Sequence, residues 1–247
     1  MLIVSNWKAY VEDIDRAKGL FSLAKRLSKD TRDALVLAPS APQLALLAAK
    51  NKSKVKFAAQ DVSATTGGAK TGEVSAQIIA DAGAAYSIIG HSERRAMGET
   101  DEIVAAKTQH ALAHNITPIL CVGERERDSG AEYLSVVRDQ ISSAFTPLSQ
   151  KERMMVVIAY EPVWAIGKSA ADALAPNDVA EMVLYIRKVL GEFLPGKAPA
   201  KIKILYGGSA APENARDLAA AGGIDGFLVG RASVDSASYT AFIRAIS

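Results

Sequence analysis

Short apolar runs recur along the chain and alternate with longer stretches whose apolar residues repeat at helical spacing. Each run is rich in valine, isoleucine or leucine and is too short for a buried helix, so it predicts a strand covered on both faces. We predict eight such strands, at Leu2–Ser5, Ala34–Ala38, Val55–Ala59, Tyr86–Gly90, Ile116–Val122, Met155–Tyr160, Ile202–Tyr206 and Gly226–Val229.

The stretches between these strands contain the predicted helices, among them Ile14–Lys29, Asp101–His114, Ala131–Phe145 and Val179–Leu190, the last opened by Pro176-Asn-Asp178. Strands that alternate with helices indicate a parallel sheet. Eight such units without a linker predict an α/β fold, a closed parallel (β/α)₈ barrel forming a single domain over residues 1–247. An open doubly wound sheet is the alternative, although no Gly-x-Gly-x-x-Gly follows the first strand.

Composition supports a folded chain and excludes some partners. The chain has 247 residues, of which 49% are apolar and 23% charged, as in an average globular protein. A formal net charge of +2 provides no electrostatic footprint for nucleic acid or a membrane surface, so we expect neither as a partner. A local basic site for one small anion is still allowed.

Cysteine usage and the first residues indicate the compartment. The single cysteine, Cys121, excludes an internal disulfide and fits a reducing environment. We expect it to be a small buried hydrophobe, because no basic partner for a nucleophile is evident. Met1–Ser5 has no basic segment, and its apolar run is too short for a signal peptide or a membrane span. We therefore expect a cytoplasmic protein.

Polar residues and glycines collect directly after the predicted strands. They are Asn6 and Lys8, Gln60, His91-Ser-Glu93, Gly123-Glu124, Glu161, Gly207-Gly-Ser209, and Gly230-Arg231. A barrel enzyme places its chemistry in the loops at the carboxyl ends of its strands, so these residues predict one pocket at one rim.

The glycines after strands seven and eight predict a phosphate site. Barrels often bind phosphate there, through backbone N–H groups and a helix N-terminus. Glycine permits close approach of the backbone and a positive φ, which Gly207, Gly208 and Gly230 are expected to provide beside Ser209. The alternative is that these glycines only make tight turns.

These residues and their surroundings resemble the triosephosphate isomerase family from end to end. The matching segments are Asn6-Trp-Lys8, Ala59-Gln60, Thr71-Gly-Glu73, Ile89-Gly-His-Ser-Glu-Arg-Arg95, Cys121-Val-Gly-Glu124, Ala159-Tyr-Glu-Pro-Val-Trp-Ala-Ile-Gly167, Tyr206-Gly-Gly-Ser209 and Gly226-Phe-Leu-Val-Gly230. The resemblance implies a TIM barrel that interconverts dihydroxyacetone phosphate and glyceraldehyde 3-phosphate, with no cofactor and no metal.

The resemblance also implies roles for individual residues. Glu161 would be the base that moves a proton between adjacent carbons. The donors to the enediolate oxygens would be His91, Lys8 and Asn6, the histidine being a neutral imidazole at a helix N-terminus, as known for this family. Glu93 and Ser92 would help to orient these groups. The phosphate would be held by Asn6, Lys8, Gly167, Ser209, Gly230 and Arg231.

Each assignment has a plainer alternative. Lys8 alone could be a solvated rim lysine, His91 a buried histidine with satisfied hydrogen bonds, and Glu161 a carboxylate at a helix start. Other phosphate-binding barrels, such as sugar-phosphate epimerases or indole-forming synthases, need metal ligands or other acid–base pairs, which this sequence lacks. His110 and His114 lie four residues apart, but without a neighbouring glutamate we expect helix surface or packing.

A lid is expected over the site, at Pro162, Val163, Trp164, Ala165, Ile166, Gly167, Lys168, Ser169 and Ala170. The family usually continues Thr-Gly-Lys-Thr-Ala after this glycine. Here Lys168 follows directly, as if two residues were missing, and Ala171–Leu174 looks inserted. An alternative function is therefore a sugar-phosphate-binding barrel whose altered lid impairs catalysis. Arg231 is a second departure, since the family commonly has glycine there.

The segment Gln60–Glu73 resembles the dimer loop of the family. It would reach into a second copy of the chain and bring Thr71 near Lys8 across a two-fold interface. We therefore predict a homodimer through this segment.

Overall fold

Eight parallel strands close into a barrel in the computed structural model, which describes residues 1–128, 130–167 and 174–247. They are β1 (Leu2–Asn6), β2 (Ala34–Ala38), β3 (Lys56–Ala59), β4 (Tyr86–Ile89), β5 (Thr117–Val122), β6 (Val157–Tyr160), β7 (Ile204–Tyr206) and β8 (Gly226–Val229). Each strand pairs with the next, and β8 pairs with β1, where Leu2 lies opposite Gly226. The closed (β/α)₈ barrel is confirmed and the open sheet is excluded.

Ten α-helices occur among the described residues. They are α1 (Ile14–Asp30), α2 (Ala41–Ala48), α3 (Ala76–Asp81), α4 (Ser92–Ala96), α5 (Asp101–Ala113), α6 (Tyr133–Phe145), α7 (Gln150–Arg153), α8 (Pro176–Leu190), α9 (Pro212–Ala221) and α10 (Ser236–Ile246). Short 3₁₀ helices occupy Val163–Ala165, Ala198–Lys201 and Arg231–Ser233.

Local sequence signals set where the helices begin. The Asp13 side chain accepts hydrogen bonds from the backbone N–H groups of Asp15 and Arg16 and so caps α1. Ser149 and Glu152 form a reciprocal capping box at α7. Pro176 is the first residue of α8, where its missing N–H costs nothing.

Two apolar layers hold the barrel together. Alternate strand residues point inward, and they form an interior cluster that includes Leu2, Val4 and Cys121. Residues between them, such as Ile3, point outward and pack against the ring of helices. Cys121 is fully buried, and burial raises the pKa of its thiol, as expected of a packing residue rather than a nucleophile.

Several predicted boundaries were wrong by one to three residues. The apolar runs begin before the strands because Val55, Ile116 and Ile202 are buried without being part of the ladder. Gly90 is outside β4 because its φ is +69°. Helix α6 starts at Tyr133 rather than Ala131, whose φ of +60° is not helical.

Candidate active site

A buried carboxylate and an imidazole face each other at the carboxyl end of the barrel. Glu161 directly follows β6 and is 2% exposed. Its Oε1 atom lies 3.1 Å from Nε2 of His91. Its other oxygen, Oε2, accepts a 2.8 Å hydrogen bond from the backbone N–H of Ser92. The backbone N–H of Glu161 itself donates to the Val122 carbonyl at the end of β5.

The hydrogen bonds of His91 assign its tautomer. His91 is the N-cap of α4, and its Nδ1 accepts a 3.1 Å hydrogen bond from the backbone N–H of Glu93. An accepting Nδ1 carries no proton, so the ring proton is assigned to Nε2. That nitrogen is the one nearest to Glu161, so the imidazole has a donor group at the centre of the rim.

Lys8 is held in a strained backbone conformation beside this pair. Its φ is +46°, which a residue with a side chain adopts at some cost. The Asn6 side chain accepts from the Lys8 N–H at 3.1 Å, and the Gln60 amide donates to the Lys8 carbonyl at 2.8 Å. These two bonds fix the strained turn. Asn6 is therefore both a rim residue and a support for Lys8.

The carboxylate of Glu93 lies closer to Lys8 than to His91. The Lys8 ammonium lies 2.7 Å from Oε1 of Glu93, whereas His91 Nδ1 is 3.7 Å from Oε2. The Glu93 side chain is 59% exposed, so this ion pair is open to solvent. Glu93 therefore restrains the lysine, and Ser92 restrains Glu161 through its backbone.

A cavity of about 590 Å³ brings most of the predicted site residues together. Its lining includes Asn6, Lys8, His91, Glu93, Glu161, Gly167, Ser209, Gly230 and Arg231. A larger cavity of about 750 Å³ lies between α5 and the loop after β5, with Ser92, Glu99 and Glu124 in its wall. It contains neither His91 nor Glu161, so we place the site in the smaller cavity.

Close approach of the backbone accounts for Gly207 but not for Gly230. The expectation of positive φ was wrong for Gly207, Gly208 and Gly230, all three of which are described. A Cβ on Gly207 would stand 2.9 Å from Cγ of Glu161, and one on Gly230 would stand 3.6 Å from Cε of Lys8. Gly167 at the lid is the cavity glycine with a positive φ, of +78°.

Arg231 begins a 3₁₀ helix at the end of β8 and does not need glycine's backbone freedom, since its φ is not positive. Its side chain is exposed on the wall of the cavity. It forms no hydrogen bond or ion pair with any residue that the structure describes. This leaves its guanidinium available to an anion in the cavity.

The first turn of the expected lid is anchored by residues to which the sequence assigned no role. Glu124 Oε1 accepts hydrogen bonds from Trp164 Nε1 and from the Tyr160 hydroxyl, each at 2.9 Å. The Arg127 guanidinium lies 5.3 Å from the Trp164 ring centroid. The one available signal was the position of Glu124 in the polar cluster, two residues after the end of β5. Lys168, Ser169 and Ala170, and the insertion through residue 173, lie outside the described residues.

Within the described part of the chain, no group of three metal-ligating side chains comes together. The helices in that part are too short or too polar to cross a membrane. His110 and His114 lie at the end of α5, where His114 Nδ1 is 2.9 Å from the His110 carbonyl oxygen.

A parallel barrel with a buried carboxylate–imidazole pair and a lysine at its carboxyl rim defines an enzyme of the barrel class. Known proteins identify the family. A family model described as "Triosephosphate isomerase" matches residues 1–246. A triosephosphate isomerase of Roseiflexus castenholzii is 40% identical, covering 100% of this chain and 97% of that protein. The triosephosphate isomerase of Moorella thermoacetica is 41% identical, covering 98% of this chain and 97% of that protein. That of Thermus thermophilus is 40% identical, covering 99% of this chain and 98% of that protein. The chain belongs to the triosephosphate isomerase family.

Proposed function

We propose that this chain interconverts dihydroxyacetone phosphate and glyceraldehyde 3-phosphate by proton transfer through an enediolate, as an enzyme of glycolysis and gluconeogenesis. Membership of the family supports the reaction. The observation that carries the mechanism is the 3.1 Å contact of Glu161 Oε1 with the N–H-bearing Nε2 of His91 in one cavity. A cytoplasmic location follows from this role and from the single cysteine.

Glu161 is the proposed base. The Ser92 N–H holds Oε2, which leaves Oε1 to face the cavity. Oε1 removes a proton from the carbon beside the substrate carbonyl, and the electron pair of that C–H bond moves into the enediolate. The same carboxyl group then returns the proton to the neighbouring carbon. The His91 Nε2–H gives its proton to the former carbonyl oxygen and takes the hydroxyl hydrogen from the other oxygen, which becomes the new carbonyl. The product has the same atoms as the substrate, so no other reactant is needed.

His91, Lys8 and Asn6 are the proposed partners of the enediolate oxygens. The Nε2–H of His91 already points at the rim, and it can leave Glu161 for a substrate oxygen without changing tautomer. The Lys8 ammonium adds a positive charge where negative charge develops in the transition state. Asn6 holds the strained turn that aims this lysine.

The phosphate is proposed to lie against the rim after β7 and β8, bound by Ser209, Gly230, Arg231 and Gly167, with Asn6 and Lys8 below it. Backbone N–H groups near a helix start favour an anion. The glycines let the backbone come close, and the guanidinium of Arg231 adds charge. The lid, from Pro162 to Ala170, is proposed to close over this end and exclude water.

We also propose a homodimer through Gln60–Glu73. Four of the nine large apolar side chains that are exposed among the described residues belong to consecutive units of the first half of the barrel: Tyr10, Leu46, Ile78 and Met97. They follow β1, β2, β3 and β4 in the chain, and the Gln60–Glu73 segment lies in sequence between the second and the third of them. Exposed apolar groups on one side of a molecule are typical of an association surface.

A coupled assay of glyceraldehyde 3-phosphate turnover tests the reaction, with Glu161→Gln and Glu161→Asp beside the parent. We expect fast turnover by the parent and a loss of about a thousandfold or more in kcat for Glu161→Gln. Glu152→Gln is the control, because that glutamate caps α7 far from the rim. A parent protein that binds inorganic phosphate and the triose phosphate, but does not turn the triose phosphate over, would support the binding-protein alternative instead.

A further inference from the structure

A buried lysine on α5 lies at the centre of a cluster of charges that the proposed reaction does not use. Lys107 is 3% exposed. Its ammonium donates to both carboxylate oxygens of Asp61, at 2.7 and 2.8 Å, and also to Oε1 of Glu99. Burial raises the pKa of Asp61, and the lysine opposes that rise. A lysine is rarely buried unless it is paired in this way.

Arg94 completes the cluster. Its Nε donates to Glu99 Oε1 at 2.9 Å, and its NH2 group lies 3.1 Å from Asp61 Oδ2. Two cations therefore balance two carboxylates. Removal of the lysine alone would leave the buried Glu99 carboxylate and the partly exposed Asp61 carboxylate with one partly exposed cation, and an unbalanced buried charge is strongly unfavourable.

This cluster joins two segments that support the site. Asp61 directly follows Gln60, whose amide holds the Lys8 carbonyl. Arg94 belongs to α4, whose N-cap is His91. Through Asp61 and Arg94, Lys107 thus connects the loop that supports Lys8 with the helix that His91 caps.

Helix α4 depends on these charges because it has little else to hold it. It is five residues long and none of its residues is fully buried. Its other polar anchors are Arg95, which bonds Asp101 at 2.6 Å and the Gly90 carbonyl at 2.8 Å, and the contacts of Ser92 with Glu161 and of Glu93 with Lys8. A helix with no fully buried residue gains little from apolar packing, so ion pairs and hydrogen bonds hold it in position.

We propose that Lys107 is a positioning residue for the proton transfer, whose ammonium fixes α4 so that the His91 imidazole and the Ser92 N–H stay in place on Glu161. The inference rests on the proposed function of this site. It concerns a side chain that touches neither the cavity nor the substrate, since Lys107 is absent from the cavity lining in the described part of the chain.

The test compares Lys107→Met with Arg187→Met. Arg187 is a matched control, because it joins Asp225 and two backbone carbonyls beneath β7, away from the rim. Both variants should lose thermal stability. At a temperature where both are folded, Lys107→Met should lower kcat about tenfold to a hundredfold, as small misplacements of reacting groups do. The KM, and the inhibition constant of inorganic phosphate, should change less than about threefold, since Ser209, Gly230 and Arg231 of the proposed phosphate site follow β7 and β8 and do not depend on this cluster.

A double variant separates charge balance from folding. Lys107→Met with Asp61→Asn leaves Glu99 paired with Arg94, so it should regain stability and most of kcat. Unchanged kcat in folded Lys107→Met would overturn the proposal. So would equal losses in Arg187→Met, or a parallel weakening of phosphate inhibition, because these would indicate general loosening.

Failure of the proposed function and failure of the positioning role can be told apart by experiment. If the parent turns over no triose, that function fails, and positioning is then read from the His91 imidazole resonances in an NMR spectrum. The chain has three histidines, so His110→Gln and His114→Gln assign the signals. Lys107→Met should shift the His91 signals and Arg187→Met should not; identical His91 signals in all three proteins would overturn the positioning role.

Discussion

Nε2 of His91 lies 3.1 Å from Oε1 of Glu161, although the two residues follow strands that are not neighbours in the barrel. The intervening strand, β5, contributes the Val122 carbonyl that fixes the backbone of Glu161. Because Nδ1 already accepts a hydrogen bond, the nitrogen in contact with the carboxylate is the one to which the ring proton is assigned. The imidazole and the carboxylate thus meet in one small volume of the cavity.

His91→Gln should lower kcat by about a hundredfold or more, because a preorganised donor to the developing oxyanion is lost. KM should change much less, since the phosphate contacts remain. Steady-state kinetics in both directions provide the measurement. The matched control is His114→Gln at the end of α5, which should retain parental kcat. Similar losses in both variants would mean that His91 matters for folding and not for the reaction.

Gly207→Ala should displace the base. Its Cβ would stand 2.9 Å from Cγ of Glu161 and 3.3 Å from the Tyr160 carbonyl oxygen. We expect a fall in kcat of about tenfold or more with a folded protein, measured by turnover and circular dichroism. Gly19→Ala in α1 meets no atom within 4 Å and should retain kcat while gaining up to about 1 kcal/mol of stability. Full activity in Gly207→Ala would show that Glu161 tolerates the shift.

Arg231→Ala should weaken substrate binding and leave kcat nearly unchanged. An exposed guanidinium beside a phosphate is worth about 1 kcal/mol, so KM and the inhibition constant of inorganic phosphate should rise roughly fivefold at low salt. Added salt should bring the KM of Arg231→Ala closer to that of the parent, because salt screens exposed charges. Arg244→Ala on α10 is the control. A KM equal to the parent's at low salt would show that the side chain points away from the phosphate.

The eight strands and the rim residues were predictable because each follows from a local pattern. The apolar runs located β1 to β8, and Asn6, Lys8, His91 and Glu161 follow strands that end at one rim. The supports of these residues were not predictable. The positive φ of Lys8 depends on Gln60, more than fifty residues away, and the Arg94–Lys107 cluster depends on packing between units. Residues that act through tertiary contacts leave no periodic signal in the chain. That residues 1–247 fold as one domain stays a prediction.

The proposed dimer should be visible by sedimentation at micromolar concentration, as a mass of twice 26.1 kDa. Met97→Lys should shift the protein towards monomers and reduce activity, because it adds a charge to the proposed interface at a side chain that is 77% exposed. Leu184→Lys is the control, since that side chain is 70% exposed on α8, on the other half of the barrel. A fully active monomeric parent would overturn the dimer.

Alkaline pH should unfold the chain through its buried tyrosines. Burial raises the pKa of Tyr206 and of Tyr239 to about 12, and that of Tyr160 further still. Because the pKa of these tyrosines is higher in the folded than in the unfolded chain, the free energy of unfolding is unaffected by them below about pH 10 and falls as pH rises through 12. These three of the seven tyrosines should therefore ionise only as the protein unfolds. Their part of the tyrosinate absorbance should appear at the same pH as the loss of the far-ultraviolet circular dichroism signal. Ionisation of all seven while the fold persists would contradict this.

The pairing of β8 with β1 has a consequence for synthesis on the ribosome. Ile3 is made among the first residues, but its partner across the closing seam is Phe227. Until β8 has left the exit tunnel, one side of β1 presents unpaired backbone N–H and C=O groups, which are a template for wrong pairing with other chains. The last strand is therefore the one whose delay, by slow translation or truncation, would most expose the nascent chain to aggregation.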